Sequence, residues 1–453
     1  MNQYNIDKLS KEEIFGGKII APMRQWLVLH NEVARNYNYR ADMAIITHYL
    51  QNKSYPEGLQ YKNEALPLME KYYRATHTEI KDDEPFDSQK AEDLFSVIYD
   101  TPVYKQHRSN NSFTFVDLFA GIGGFRIALE QLGGRCVYAS EFDIVAQRSY
   151  GLNHGVVPFG DIKLQENKDR IPDNVDVLCA GFPCQPFSLA GLRLGFSDKT
   201  KGTLFYDLKE IIEAKQPRMI LLENVPGLLS INNRDENGIR LSEKTIDTIL
   251  HILREELHYY VPDPEVLNAK DFGVAQNRAR VFIVGFRDKD QTGNFAFPTG
   301  DSIPPKYFGE IREPGKVNSG YYMSERYWQT LVNHKISQRN NGRGYGYKIV
   351  KDNEFGHTLM VGGMGLERNL VKDTNNPDVI QMEDHRGELN HEYIRVLTER
   401  ECARMQGFPE YFEIAAQRSA AYRQFGNSVA IPVVNAVARC ILEYDGVNHA
   451  NID

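Results

Sequence analysis

Short apolar runs alternate with helical patterns between residues 113 and 287. The runs FTFVDLFA, CVYASEF, VDVLCAG, MILLENV and VFIVGF are rich in β-branched and aromatic residues. Near-continuous apolar runs of this length are typical of parallel strands that are covered on both faces. Between them, LSEKTIDTILHILREEL has helical spacing, with Ser242 as the expected N-cap. The alternation predicts an α/β fold with a doubly wound sheet.

The rest of the chain differs in character. Residues 1–110 carry helical patterns in MRQWLVLHNEVA, DMAIITHYLQ and EALPLMEKYYRAT. Residues 288–396 are rich in Gly, Asn and Tyr and show no long amphipathic helix, which predicts a small domain or a functional loop assembly. Order returns in residues 397–453, where Thr398 and Glu401 form a capping-box pattern. The last apolar run, QFGNSVAIPVVNAVARCILEY, reads as a loop that opens into a helix.

Composition excludes several classes of protein. The 453 residues are 42% hydrophobic and 25% charged, the balance of an ordinary soluble globular chain. There is no run of 18 apolar residues and no signal-peptide pattern, so we expect no membrane span. Five cysteines without a CxxC pair predict neither a disulfide framework nor a zinc site, which fits the cytoplasm. The net charge of −8 argues against a generally basic nucleic-acid binder but leaves room for a local basic cleft.

Three features suggest a nucleoside-bearing cofactor. FVDLFAGIGGFRIALE reads as a strand, a glycine-rich turn and a helix, in which Gly121 and Gly123 let the backbone approach a ligand. The turn does not match GxGxxG, and a purely structural turn stays open as an alternative. Glu141 follows the second run, where an acidic residue commonly holds ribose hydroxyls, and Asp161 follows a third element. Each carboxylate taken alone is more often a solvated surface charge.

A second group of residues suggests covalent chemistry. GFPCQPFS holds Cys184 between two prolines, either as a packed core thiol or as a nucleophile, which needs a lowered pKa or an acid–base partner. Glu223 ends the next run, and ligands of doubly wound sheets bind outside the carboxyl ends of strands, so we expect Cys184 and Glu223 to face one pocket. Arg278 and Arg280 are expected on one side of a strand, suited to an anionic group, with a surface arginine pair as the alternative.

These motifs, taken in order, resemble one family. The set DLFAGIGG, SEFD, GDI, GFPCQPFS, GTLFYDL, ENV, QNRARVFIVG, LTERECARMQGFP and QFGNSVAIPV resembles the cytosine-5 DNA methyltransferases of bacterial restriction–modification systems. The resemblance covers 113–287 and 397–445, about half the chain. No single motif is specific, but their joint occurrence in this order is.

The resemblance implies a fold and a domain plan. A Rossmann-like sheet of the S-adenosylmethionine-dependent methyltransferases would occupy residues 111–287, and residues 397–453 would return to complete this catalytic domain. A smaller, irregular target-recognition domain would span 288–396. A helical N-terminal extension, residues 1–110, falls outside the resemblance and is expected to be accessory, regulatory or dimerising.

The resemblance also implies a cofactor and the residues that hold it. The cofactor would be S-adenosyl-L-methionine, with S-adenosyl-L-homocysteine as the product and no metal. Glu141 would bind the ribose hydroxyls, Phe142 would stack with the adenine, where the family often has tryptophan, and Asp161 would contact the adenine edge. The full implied set is Phe119, Gly121, Gly123, Glu141, Phe142, Asp161, Ile162, Leu204, Asn427 and Ser428.

The implied reaction assigns roles to the catalytic motifs. The Cys184 thiolate would add to carbon 6 of a cytosine flipped out of duplex DNA. Glu223 would bind the exocyclic amine and ring nitrogen 3, and Arg280 would bind the carbonyl oxygen, with Arg278 shaping the site. In the implied DNA interface, the catalytic-loop and base-reading residues are Gln185, Ser188, Arg343, Lys348, Thr358 and Arg368. For Arg343, Lys348 and Arg368, the alternative is that each is a solvated charge on a loop and does not contact DNA.

Two other functions stay open at this stage. One branch of the family methylates cytosine in transfer RNA, although the long segment 288–396 favours DNA. A non-catalytic DNA-binding regulator on the same fold is the other, which the intact Cys184, Glu223 and Arg280 argue against. We therefore expect a cytoplasmic enzyme that binds double-stranded DNA as a monomer and makes no membrane contact.

Overall fold

The computed structural model describes most of the chain in two compact units. The described residues are 39–76, 81, 84–92, 112–183, 204–234, 240–289, 293–343, 346–361, 367–381, 383–384, 387–414 and 416–447. The first unit takes its described residues from Met1–Val266, Arg280–Pro298 and Val437–Asp453, and the second from Leu267–Ala279 and Thr299–Ala436. The helix expected at MRQWLVLHNEVA lies outside the described residues. The four segments drawn from the sequence stay a prediction.

The strands up to residue 286 include those of the largest sheet. Their bounds are β1 Phe113–Leu118, β2 Gly134–Ser140, β3 Val177–Gly181, β4 Met219–Asn224, β5 Asn232–Arg234, β6 Arg240–Lys244, β7 Glu265–Asn268, β8 Gln276–Asn277 and β9 Ala279–Phe286. Six of them form one sheet in the order β2-β1-β3-β4-β9-β7. The pairs β1–β2, β1–β3 and β3–β4 are parallel, whereas β9 runs antiparallel to β4. At least one helix lies between each consecutive pair of the parallel strands β1, β2, β3 and β4.

Helices alternate with these strands and continue beyond them. Their bounds are α1 Tyr39–Asn52, α2 Pro56–Thr76, α3 Gly124–Glu130, α4 Ile144–His154, α5 Gln165–Asp169, α6 Leu204–Lys215, α7 Thr245–His251, α8 Glu325–Asn340, α9 Glu399–Arg404, α10 Arg418–Asn427 and α11 Ile431–Asp445. The remaining strands are β10 Lys348–Ile349, β11 Gly356–His357, β12 Asn369–Lys372, β13 Glu383–Asp384, β14 Gly387–Glu388 and β15 Ile394–Val396. The predicted α/β class is confirmed.

One strand direction predicted from the sequence is wrong. VFIVGF was expected to be parallel with the other runs, but it forms the end of β9, which pairs antiparallel to β4 from Asn224 opposite Val281 to Met219 opposite Phe286. Residues 281–286 are all buried, as are the residues of β4. A strand buried on both faces reads as a continuous apolar run whichever way it points, so composition does not carry its direction.

Two helix predictions also need correction. Ser242 does not cap a helix, because it lies in β6, and Lys244 is the N-cap of α7, which continues as a π-helical turn over Ile252–Glu256. The region 288–396 does contain a long helix, α8, with Ser324 as its N-cap. Only Trp328 and Leu331 of α8 are buried, so its apolar stripe is too narrow to show in the sequence.

The N-terminal helices α1 and α2 confirm the prediction for DMAIITHYLQ and EALPLMEKYYRAT. They form a hairpin whose buried residues share one hydrophobic cluster with the large sheet. Met43, Ile46 and Tyr61 of the hairpin belong to this cluster together with Val116 and Val137 of the sheet. Burial of each such side chain stabilises the fold by about 1.5–3 kcal/mol. The hairpin is thus part of the core of the first unit.

The second unit contains a buried network of charges. Arg395 donates from Nε to Asp373 at 2.6 Å and from both Nη atoms to the Glu401 carboxylate at 2.8 Å. All three side chains have 0% exposure. Glu401 also accepts from the Thr398 N–H, and Thr398 accepts from the Glu401 N–H, so the predicted capping box of α9 is confirmed. Burial raises the pKa of Asp373, but the bonds to Arg395 outweigh it and hold that pKa below its ordinary value.

One helical run among the described residues could cross a membrane by length and composition alone. It is Arg418–Asp445, in which an 18-residue window has a mean hydropathy of 1.4 and is 67% buried inside the protein. The run joins α10 and α11 across residues 428–430. Helix α11 buries Val434, Val437 and Leu442. The buried core helices of globular proteins also meet the criteria of length and hydropathy, and the burial of α11 is that of such a helix.

We expect Arg395→Met to lower the free energy of unfolding by about 3–5 kcal/mol, because Asp373 and Glu401 would lose their buried cation. Urea unfolding followed by tryptophan fluorescence measures the change.

The matched control is Lys316→Met. Lys316 pairs with Asp378 at 3.3 Å, but the two side chains are 64% and 66% exposed, so the expected loss is below about 1 kcal/mol. Equal losses in the two variants would contradict a stabilising role for the buried network.

Candidate active site

The strands of the first unit end level with one another. Leu118 of β1 pairs with Ser140 of β2 and with Ala180 of β3, and Ala180 pairs with Leu222 of β4. The residues that follow these positions therefore lie along one edge of the sheet. They are Glu141, Phe119, Gly181 and Glu223. The predicted cofactor and catalytic motifs of the first unit thus meet at the carboxyl edge of the parallel strands, as the sequence indicated.

The glycine-rich turn after β1 has an unusual backbone. Phe119, Gly121 and Gly123 have φ values of 55°, 56° and 88°, all in the left-handed region. A non-glycine residue seldom adopts this conformation, and strain of this kind is concentrated at functional sites. A Cβ added to Gly121 would meet no heavy atom within 4 Å, so the turn leaves space there. Beneath the turn, His154 of α4 lies with Nε2 3.3 Å from the carbonyl oxygen of Ile122.

Glu141 is held in place by backbone amides. Its Oε2 accepts from the Gly121 N–H and its Oε1 from the Asp143 N–H, both at 2.7 Å. Burial raises the pKa of Glu141, and these two bonds oppose the rise. The carboxylate is therefore fixed against the glycine turn. Phe142, next in the chain, is 76% exposed, more than any other large hydrophobic residue that the structure describes.

The remaining cofactor residues of the first unit lie near the same edge. Phe159 bridges to Ser140 at the end of β2, and Asp161 and Ile162 follow it. Asp161 accepts from the Lys163 N–H at 3.0 Å through its carboxylate and from Asn167 Nδ2 at 2.8 Å through its carbonyl oxygen. Ile162 is buried. Leu204 is the half-buried first residue of α6.

Glu223 and Arg280 form an ion pair at the end of β4. Arg280 Nε lies 2.9 Å from Glu223 Oε1, and both side chains are largely buried. Burial lowers the pKa of Arg280, which the charge of Glu223 opposes. Glu223 is paired in register with Gly181, and its Oε2 would lie 3.6 Å from a Cβ at that glycine. The pair therefore sets a carboxylate and a guanidinium side by side where the Cys184 segment begins.

Sequence reasoning missed the contact that ties these two strand ends together. Asn224 Nδ2 donates to the carbonyl oxygen of Phe182 at 2.9 Å, across from β4 to the segment that leads to Cys184. Its Oδ1 accepts from the Val225 N–H at 2.8 Å. The sequence does carry a signal here, because Asn224 is a polar residue near the end of the apolar run MILLENV. His154 carried no signal, because its contact with the turn spans 32 positions.

The predicted residues Cys184, Gln185 and Ser188 lie outside the described residues. The four described cysteines do not form disulfides. Burial raises the pKa of Cys136 to about 12 and raises that of Cys179 and of Cys402 well above the ordinary value. These three buried thiols are protonated at neutral pH and are unsuited to nucleophilic attack.

Arg278, Asn427 and Ser428 belong to the second unit. The Arg278 guanidinium is buried and donates to the carbonyl oxygens of Leu359, Gly426 and Ser428 at 3.3, 3.0 and 2.7 Å. Asn427 ends α10 and is exposed, and Ser428 is half-buried. Arg278 and Arg280 thus have different partners, although the sequence placed both toward one anionic group.

The four predicted DNA-reading residues outside the catalytic loop are also in the second unit. Lys348 Nζ binds Glu354 and the carbonyl oxygen of Phe355, both at 3.0 Å. The Lys348 N–H donates to the Arg368 carbonyl oxygen at 3.0 Å, so these two cations are neighbours. Burial lowers the pKa of His357, and the charges of Arg368 and Lys348 lower it further.

The two other members of this set lie apart in the chain. Arg343 is exposed just after α8. Thr358 Oγ1 donates to the carbonyl oxygen of Asn277 at 2.8 Å. No group of three or more metal-binding side chains occurs among the residues with described positions.

We expect Gly123→Ala to lower the free energy of unfolding by more than the roughly 1–2 kcal/mol that a Cβ in the left-handed conformation costs. The added Cβ would lie 2.1 Å from Nε2 of His154, whose ring is buried and must move. Chemical unfolding measures the loss.

Gly121→Ala is the control. Gly121 also has a positive φ but open space around the new Cβ, so only the conformational part of the loss is expected. A loss for Gly123→Ala no larger than this would contradict the close packing of His154 against the turn.

Comparisons with known proteins identify the family of this chain. A family model described as C-5 cytosine-specific DNA methylase matches residues 113–443. The Type II methyltransferase M.HpaII of Haemophilus parainfluenzae is 49% identical over 332 residues, which cover 73% of this chain and 89% of that protein. The Type II methyltransferase M.DsaV of Dactylococcopsis salina is 40% identical over 335 residues, covering 73% and 86%.

Among solved structures, the S. pombe Dnmt2 methyltransferase superposes with a TM-score of 0.54 over 73% of this chain and 98% of that chain. Its sequence identity is 20%, so it supports the fold alone. The extent of the family match and the identity to the Type II methyltransferases show the family. This chain belongs to the C-5 cytosine-specific DNA methylases and is a DNA cytosine methyltransferase.

Proposed function

We propose that this enzyme transfers the methyl group of S-adenosyl-L-methionine to carbon 5 of a cytosine flipped out of duplex DNA, through a covalent adduct at Cys184. The observation that carries the proposal is the Glu223–Arg280 ion pair, level with Gly181 at the strand end that leads to Cys184. An acceptor and a donor side by side match the amine and the carbonyl oxygen on the edge of cytosine.

The first unit offers residues that fit the cofactor. The open turn at Gly121 and Gly123 would receive its methionine and ribose side, and the amide-held carboxylate of Glu141 would bind the ribose hydroxyls. Phe142 presents an exposed aromatic face suited to stacking on adenine, with Asp161 at the adenine edge. When bound, S-adenosyl-L-methionine supplies an electrophilic methyl group on a sulfonium. Phe119, Ile162 and Leu204 complete the proposed site in the first unit.

The residues of the chain then prepare the cytosine. The Cys184 thiolate forms a bond to carbon 6. The electron pair of the 5,6 double bond is thereby displaced away from carbon 6, which makes carbon 5 nucleophilic. Glu223 accepts from the exocyclic amine and, in its protonated form, donates to ring nitrogen 3, which takes up the displaced electron pair, and Arg280 neutralises charge that develops on the carbonyl oxygen. After methylation, loss of the carbon 5 proton to a base returns the electron pair and expels the thiolate. Gln185 and Ser188 would occupy the space that the flipped base leaves.

The second unit is proposed to read the target sequence. Lys348 and Arg368 are neighbouring residues whose charges both lower the pKa of His357, and although Lys348 is paired with Glu354, we take the two as the local DNA contact in a chain of net charge −8. Arg343, which follows α8, and Thr358, which follows β11, would add further contacts with DNA. Because the chain is acidic overall, DNA affinity would depend on this cluster.

We also propose the biological setting. The relatives with the highest identities quoted above are bacterial Type II methyltransferases. A companion role in a restriction–modification system, in the cytoplasm and as a monomer on DNA, would protect host DNA from a partner endonuclease. Bisulfite sequencing of DNA from cells that express the protein would reveal both the activity and the target sequence.

We expect Cys184→Ser to abolish the stable adduct with duplex DNA that carries 5-fluorocytosine at the target. Fluorine blocks release of the thiolate, so the parent enzyme is trapped together with the cofactor, whereas a serine hydroxyl is a far weaker nucleophile. Denaturing gel electrophoresis separates the adduct from free protein.

Cys440→Ser is the matched control and should still form the adduct, since Cys440 is a half-buried thiol of α11. An adduct that persists in Cys184→Ser would mean that another group is the nucleophile. Methyl transfer from labelled cofactor to transfer RNA but not to DNA would contradict the proposed substrate.

Arg368→Gln is expected to weaken binding of the target duplex. If Arg368 neutralises a phosphate, the slope of the logarithm of the dissociation constant against the logarithm of salt concentration should fall by about one. Fluorescence anisotropy over a range of salt concentrations provides both values.

Lys316→Gln serves as the control for this measurement, because Lys316 is an exposed cation of the same unit that is already paired with Asp378. Its affinity and salt slope should match those of the parent. Unchanged values for Arg368→Gln would remove Arg368 from the DNA interface.

A further inference from the structure

The α1–α2 hairpin lies outside the region that the family model matches, residues 113–443, yet it belongs to the first unit. Besides Arg170 just after α5, its polar partners beyond residue 112 lie on two parts of the chain, β2 and the segment that follows α4. These two parts of the chain lead directly to Glu141 and to Asp161. The hairpin therefore contacts the elements that carry both carboxylates of the proposed cofactor site.

His48 of α1 holds the first of these elements. Its Nδ1 lies 2.8 Å from the carbonyl oxygen of Ala44, so this nitrogen carries the proton, and Nε2 accepts the Ala139 N–H at 3.1 Å. Burial lowers the pKa of His48 to about 3, so the ring is neutral at neutral pH and Nε2 keeps its lone pair. A buried N–H that loses its only acceptor is destabilised, so this bond constrains β2 two residues before Glu141.

Thr47, the preceding residue, holds the second element. Its hydroxyl donates to the carbonyl oxygen of Met43 at 2.7 Å and accepts the Val157 N–H at 3.0 Å. Neighbouring helix residues point about 100° apart, so one turn of α1 reaches two separate segments. The Val157 contact lies four residues before Asp161.

The two elements are also bonded to each other at the hairpin. The Phe159 N–H donates to the Ala139 carbonyl oxygen at 2.9 Å, and the Glu141 N–H donates to the Phe159 carbonyl oxygen at 2.8 Å. The Phe159 ring packs 4.4 Å from the His48 ring. A shift at His48 would therefore be transmitted through Ala139 and Phe159 to the backbone of Glu141.

We propose that the α1–α2 hairpin is a positioning element of the cofactor site, in which Thr47 and His48 hold the backbone that carries Glu141 and Asp161. The inference rests on the proposed function, because it takes these carboxylates as ligands of the ribose and adenine of S-adenosyl-L-methionine. Thr47 and His48 act through the backbone of other residues, so they are positioning residues rather than catalytic ones.

The far end of the same interface supplies a control. Arg135, near the start of β2, donates to Asn52 and to Glu57 of the hairpin, each at 2.9 Å, and its guanidinium stacks 3.8 Å from the Tyr55 ring. Glu57→Gln keeps an acceptor for Arg135 but removes the charge. It therefore weakens docking of the hairpin at a distance from Glu141 and Asp161.

The test compares His48→Leu, His48→Gln, Thr47→Val and Glu57→Gln in the full chain. Isothermal titration with S-adenosyl-L-homocysteine should show a dissociation constant raised roughly tenfold in His48→Leu, which leaves a buried N–H without its acceptor, and several-fold in Thr47→Val, which does the same to a partly buried N–H. His48→Gln places an amide oxygen near the position of Nε2 and should restore most of the affinity. Glu57→Gln should bind within about twofold of the parent.

Two further readouts separate positioning from loss of stability. In methylation assays, His48→Leu should raise the KM for S-adenosyl-L-methionine while kcat changes little. Hydrogen exchange without cofactor should speed up in peptides that cover 137–142 and 157–162, but not in β4. Thermal unfolding of each variant shows whether the loss of affinity merely follows the loss of stability.

Three results would overturn the inference. Parent-like affinity in both His48→Leu and Thr47→Val would mean that the hairpin does not position the site. Affinity that falls with the melting temperature in all four variants, including Glu57→Gln and His48→Gln, would mean that it acts by stability alone. Failure of the parent chain itself to bind S-adenosyl-L-homocysteine would contradict the proposed function and remove the basis of the inference with it.

Discussion

The antiparallel pairing of β9 with β4 is the constraint on which the Glu223–Arg280 ion pair depends. The first residues of a strand lie beside the carboxyl end of a neighbouring strand only when the two strands are antiparallel. Because β9 is antiparallel to β4, Val281 pairs with Asn224, and Arg280 lies within 2.9 Å of Glu223. In a parallel arrangement Arg280 would lie at the opposite edge, a strand length away at about 3.3 Å for each residue. Composition alone would not have revealed this requirement.

The sequence predicted which residues end the strands better than it predicted how the strands are arranged. Glu141 and Glu223 each follow an apolar run, and the ends of the parallel strands meet at one edge whatever the details of packing. The direction of β9 could not be predicted, because a strand that is buried on both faces has the same apolar pattern whether it is parallel or antiparallel. Helix α8 was missed because most of its surface is exposed and polar.

Contacts between distant polar residues were beyond the reach of sequence patterns. His48 and Ala139 are 91 positions apart, and Thr47 and Val157 are 110 apart, so no local periodicity marks either bond. The same holds for Asn224 and Phe182. Such buried hydrogen bonds are specific because an unpaired group in the interior is destabilising. They fix the strand ends more narrowly than hydrophobic packing does, which tolerates changes of shape.

The hairpin has a second consequence through its position. Strand β2 lies at one edge of the sheet. Tyr61 donates a hydrogen bond to the carbonyl oxygen of Val137 on this strand, and His48 accepts one from the N–H of Ala139. An uncovered edge strand offers unpaired backbone groups that template pairing with another chain. In residues 113–443 alone, these two backbone groups would lose their hairpin partners, whereas Phe159 would still pair with Ala139 and Glu141 on the same edge. The N-terminal hairpin thus also covers part of the edge to which another chain could otherwise pair.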